Sequence, residues 1–203
     1  MMEPSGSGIS SYSKANSVQV ALDLKFLIEQ CRAVGIVEQI RARFARAGIV
    51  FLAFYFEALA NALFDRERKK KAWKVDLDSI EKRDDLPRPL VKFRAEFFKA
   101  HNRFPTGEEL DVRGIQDLFL VRNQVFAHPR EMTTVQSSDE SLLTRLNYHK
   151  FEPQFPHFYG DFGSKHFETL LSEARTFLVA YADLMTGKVP LWLDQQFRSS
   201  DLN

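Results

Sequence analysis

The chain has a single cysteine, Cys31, among 203 residues. One thiol closes no internal disulfide and builds no thiolate metal cluster, so the staples of small secreted folds are excluded and a cytoplasmic setting is expected. Net charge is equally scarce, because 28 Lys and Arg stand against 27 Asp and Glu. The resulting +1 excludes a basic coat or an acidic tail and leaves only local patches for a charged partner. A glycine-rich phosphate loop and a serine elbow are both missing, which removes the sequence basis for nucleotide-dependent and acyl-transfer chemistry. The opening "MMEPSGSGISSYSKAN" has no basic region followed by an apolar run, so it is not expected to be a secretory signal, and residues 1–15 read as a flexible lead-in. The longest apolar run, "GIVFLAFYFEALANALF" (48–64), carries Glu57 and Asn61 and falls short of the roughly 20 apolar residues of a membrane span. It reads as a buried core helix, and no membrane partner is expected.

Phenylalanine is what the chain has in abundance. The 19 Phe against 5 Tyr and 2 Trp, in a chain that is 44% apolar, call for a packed interior rather than disorder. Apolar residues recur at helical spacing from Ser17 to about Arg32, with Asn16 or Ser17 as cap and Gly35 as a break. A second, long helix is predicted from Ile36 to about Arg68, bent near Gly48, with a middle apolar nearly all round. Pro89 opens a third helix that runs to about Asn102. A fourth starts at Thr106, which has capping-box spacing to Glu109, or at Asp111, and runs towards His128. Residues 129–165 include "YHKFEPQFPHFYGDFG", which keeps neither helical nor strand periodicity and reads as a long ordered aromatic loop. A last helix covers 166–186, stopped by Gly187 and Pro190. The expected fold is all-α: an antiparallel bundle of four to five helices in one domain, residues 16–190, followed by a tail, 191–203.

The stretch "FLVRNQVFAHPRE" (119–131) sets polar groups into the end of an apolar helix. Arg122 lies one turn after Leu118 and Phe119 and one turn before Val125 and Phe126, so its stem belongs to the apolar face, where a charge is costly unless paired. Pro129 disfavours a helical conformation at His128, so the helix should end at about Ala127 and leave the imidazole able to turn back. One reading is structural. Glu57, a lone carboxylate in an apolar stretch, pairs with Arg122, while Asn123 is a surface amide and His128 a C-terminal cap.

The other reading comes from a resemblance. "RNQVFAH" (122–128) looks like the motif of the HEPN family (higher eukaryotes and prokaryotes nucleotide-binding domain), in which Arg is followed by a polar residue, often Asn or Asp, and then by His near a helix end. The Phe- and Ala-rich "FYFEALANAL" (54–63) before it and the apolar helix after it are similar to the family's bundle. Five residues separate Arg and His here, where many members have four. The resemblance implies a metal-independent RNA endonuclease that works as a homodimer, with Arg122, Asn123 and His128 as catalytic residues facing their copies across the interface. It also implies a toxin–antitoxin or phage-defence setting, with a cognate antitoxin protein as partner, and no cofactor. Histidine can serve as general acid or base near neutrality, and a guanidinium can bind the phosphate as charge develops. The alternative is a non-catalytic helical module for dimerisation or for binding RNA or a protein partner.

A second candidate is "RERKKKAWK" (66–74), in which Lys69, Lys70, Lys71 and Lys74 surround Trp73 and are suited to hold an RNA strand by phosphate contacts and stacking. The same run also suits a solvated helix C-terminus. His149, His157 and His166 have no metal-ligand spacing, so no metal site is expected, and His101 reads as a helix-end residue.

Overall fold

The computed structural model describes residues 8–68, 86–127, 155, 156 and 159–185. Five α-helices account for most of them: α1 (Gly8–Arg32), α2 (Glu38–Arg68), α3 (Arg88–His101), α4 (Arg113–Val121) and α5 (Ser164–Leu184). A π turn, Arg122–Phe126, continues α4, and a short 3-10 turn, Tyr159–Asp161, precedes α5. There is no strand among the described residues, so the all-α expectation holds. The basic cluster at Lys69–Lys74, His128, most of 129–165 and the tail lie outside the described residues.

Local chemistry accounts for the helix ends. Gly35 takes φ +84°, a left-handed conformation that a side chain would strain, and turns the chain between α1 and α2. α1 begins at Gly8, ahead of the expected Ser17, which is buried within the helix rather than at its cap. Pro89 occupies the first turn of α3, where its missing N–H leaves no hydrogen bond unmade, and Asn102 closes that helix in the left-handed region at φ 53°. The Thr106–Glu109 box does form. The Thr106 N–H donates to Glu109 at 2.9 Å and the Glu109 N–H to the Thr106 hydroxyl at 3.3 Å. It closes only one turn, however, and α4 starts later, where the Asp111 carboxylate accepts the Arg113 N–H at 2.9 Å. The helix therefore starts at Arg113 with Val112 as its cap residue and no side-chain cap, past both expected starts.

α2 is the hub, in contact with each of the other four helices. By length and composition its segment Glu38–Leu63 could cross a membrane, yet its packing is that of a core helix. The centre of the core is aromatic. Phe93 of α3 meets Phe56 of α2 at 6.1 Å between ring centroids, and Phe177 and Tyr181 of α5 at 5.4 and 4.9 Å, all edge-on. Such edge-to-face contacts add to the area that the rings bury.

Gly48 is a point of close approach. A Cβ there would lie 2.4 Å from Cζ of Phe167, whose ring is fully buried between α2 and α5. Gly48→Ala should therefore lower stability despite a helix-propensity gain of about 1 kcal/mol, because forcing the ring aside costs about 1–3 kcal/mol. The check is urea unfolding, and a stabilised variant would show that Phe167 yields freely.

Candidate functional site

The end of α4 positions the site. From Arg122 the helix widens into a single π turn, closed by the Ala127 N–H donating to the Arg122 carbonyl at 2.8 Å. A π turn takes in one extra residue, so the side chains after Arg122 are rotated from their α-helical positions. Val125 is buried and Phe126 half-buried. The helical segment ends at Ala127, as Pro129 predicts.

Both arms of the Arg122 guanidinium are engaged. Nη2 donates to Oε1 of Glu57 at 3.0 Å, and Nη1 donates to Oδ1 of Asn123 at 2.7 Å. The planar group also lies over the Phe54 ring, 5.6 Å from its centroid. The side chains of Arg122 and Glu57 remain 26% and 35% exposed, so the pair is open to solvent on one side rather than sealed in the core. Of the sequence-predicted site, Arg122, Asn123 and Glu57 are thus brought together, and His128 is the member outside the described residues.

Three further residues brace this region. Phe126 packs edge-on against Tyr159 and Phe162, with centroids 5.0 and 5.2 Å away. Arg46 of α2 ties the same segment down, donating to the Phe162 carbonyl at 3.0 Å and lying over the Tyr159 ring at 5.1 Å. The aromatic run "FYGDF" was visible in the sequence, but nothing there paired it with Phe126 or Arg46.

No family model matches the chain, and no curated protein or solved structure matches it.

Two further histidines, His101 and His166, are among the described residues, and His149 and His157 lie outside them. His101 ends α3, stacked on Phe97 with its Nε2 3.1 Å from the Leu184 carbonyl, which joins the ends of α3 and α5. His166 caps α5, its Nδ1 accepting the Gly163 N–H at 3.1 Å. Among the described residues no group of three His, Cys, Asp or Glu side chains is placed to hold a metal ion.

His166 carries a pH prediction. Burial, and then the neighbouring Lys165 charge, hold its pKa below the usual 6.5 against the opposing pull of Asp161. The folded state therefore prefers the neutral ring, whose Nδ1 lone pair makes the cap, and protonation abolishes that acceptor. The contribution is fully present above pH 6.5 and is lost as pH falls through the lower folded value. Melting temperatures of wild type and His166→Ala, which has no side-chain acceptor, should accordingly converge as pH drops from 7.5 to 5; a gap that stays constant would disprove the assignment.

Proposed function

We propose that the chain is a metal-independent RNA endonuclease of HEPN type, an antiparallel helical bundle that acts as a homodimer. The observation that carries this reading is the Arg122 guanidinium. It is held by Glu57 and Asn123 in fixed orientation, yet is partly open to solvent, at the one π turn among the described residues. Such turns often mark functional sites.

In the proposed reaction the RNA's 2′-hydroxyl loses its proton to a base and its oxygen attacks the adjacent phosphorus. The bond to the 5′-oxygen breaks, that oxygen takes up a proton, and a cyclic phosphate remains. His128 is assigned the proton transfers, since imidazole titrates near neutrality. Arg122 is assigned the charge that builds on the phosphate oxygens, and Asn123 the orientation of the guanidinium or of the phosphate. Homodimerisation is supported by exposed apolar residues on α1, where Val18, Leu22 and Phe26 follow at four-residue spacing, and by exposed Phe54 beside Arg122. The basic run Lys69–Lys74 is assigned to phosphate contacts along the strand. A cytoplasmic toxin–antitoxin or phage-defence component, with an antitoxin as second partner, is the setting that goes with this reading.

One observation favours a second reading, a non-catalytic helical module. The Arg122–Glu57 ion pair is by itself a sufficient structural reason for an arginine at this position. A cleavage assay decides between them. Wild type should cut single-stranded RNA undiminished in excess EDTA, and His128→Ala should not. A His128→Ala chain as active as wild type sinks the assignment, and an inactive wild type favours the module.

A further inference from the structure

Two exposed aromatic rings flank the π turn, and an arginine lies over each. Phe54, 39% exposed, carries the Arg122 guanidinium at 5.6 Å, and Tyr159, 43% exposed, carries that of Arg46 at 5.1 Å. Both ends are anchored on α2. Glu57 holds Arg122, and Arg46 stands eleven positions before Glu57 in the same helix. That is close to three full turns, so the two residues project from one face, about 16 Å apart along the axis. Half-buried Val50 and exposed Phe54 follow Arg46 at spacings of four, so the face that joins the two ends is apolar.

The Tyr159 end holds its ring in place. Phe126, the last residue of the π turn, packs edge-on against it with centroids 5.0 Å apart, and Arg46 secures the same segment by donating to the Phe162 carbonyl at 3.0 Å. A fixed, partly open ring beside a guanidinium can take the face of any base, because every base has a π surface and the cation adds to the attraction. It does not suit a phosphate. The exposed Asp161 carboxylate stands in the same 3-10 turn and repels an anion. The apolar face between the two ends likewise offers hydrocarbon to bases rather than charge to the backbone.

We infer that Tyr159, backed by Arg46, is a stacking platform for an unpaired base of the same RNA strand whose phosphate meets Arg122, a few nucleotides away. The inference rests on the ribonuclease reading of Arg122. Arg46 is a positioning residue in it, since it holds the ring and touches no reacting atom.

The test uses the full chain and single-stranded 2′-O-methyl uridine hexamers, which lack the attacking hydroxyl and are not cut. Fluorescence anisotropy in EDTA should give Tyr159→Phe the affinity of wild type. Tyr159→Leu, which still covers Phe126 but has no ring, should bind about tenfold more weakly. The salt dependence should be the same for all three, because no phosphate contact is lost. Hexamers with one 2-aminopurine, placed at each position in turn, report the stack directly: at saturating protein, wild type should quench a position that Tyr159→Leu releases. Melting curves establish that both variants fold. Equal affinity of Tyr159→Leu and wild type, a flatter salt dependence in Tyr159→Leu, or a wild type that quenches no position overturns the inference. Cleavage of unmodified RNA is followed separately. A chain that cuts RNA with no dependence of binding on Tyr159 keeps the ribonuclease and loses the platform. One that shows the dependence and cuts nothing keeps the platform and loses the nuclease, and one that binds no RNA loses both.

Discussion

Arg122→Ala is expected to lower RNA cleavage by about 10²–10³-fold, the usual loss when one preorganised donor to a developing oxyanion is removed. Arg122→Lys should recover only part of it, because a single ammonium cannot reproduce a two-armed hold on Asn123 and the phosphate. The informative companion is Glu57→Gln. It removes a negative charge 3.0 Å from the guanidinium while preserving a hydrogen-bond acceptor, so the nuclease reading expects cleavage to persist. If the pair were only structural, both Glu57→Gln and Arg122→Ala would show their effects in stability and neither in catalysis. The stability effect should be small in either case. With both side chains about a third exposed, solvent screens the pair, and a double-mutant cycle should give a coupling of at most about 1 kcal/mol. A much larger coupling, with no cleavage by wild type, would favour the structural reading.

Phe93→Ala should be among the most damaging core substitutions. Its ring is fully buried and touches Phe56, Phe177 and Tyr181, so its loss empties the junction of α2, α3 and α5. Truncations of this kind cost about 3–5 kcal/mol, a large share of the roughly 5–15 kcal/mol that holds a typical domain together. Urea unfolding monitored by circular dichroism measures it, and a loss below about 1 kcal/mol would mean that the neighbouring rings collapse into the space. Phe177→Ala tests the same junction from α5, and the double variant should cost less than the sum because the two rings touch.

The two predictions draw on different levels of information. That Phe93 faces the interior could be read from helical spacing alone. That Arg122 has Glu57 as its partner was one of two readings, and only the approach of α2 to the π turn put the carboxylate within reach.

Residue order by itself determined an all-α chain, the approximate extent of the four helices after the first, the stop at Ala127 and the apolar faces, because periodicity, caps, glycine and proline act within a few residues of where they stand. It named Arg122, Asn123 and Glu57 as polar groups in apolar surroundings, since the cost of burying charge is visible wherever the neighbours are apolar. Tertiary structure alone decided the rest. It started α4 at Arg113, past both expected caps, widened the helix at Arg122, and brought Tyr159 and Phe162 against Phe126. It also made Gly48 a seat for the Phe167 ring. In the aromatic contacts and at Gly48 the partners lie on separate segments, and local spacing carries no record of which distant side chains will compete for the same space.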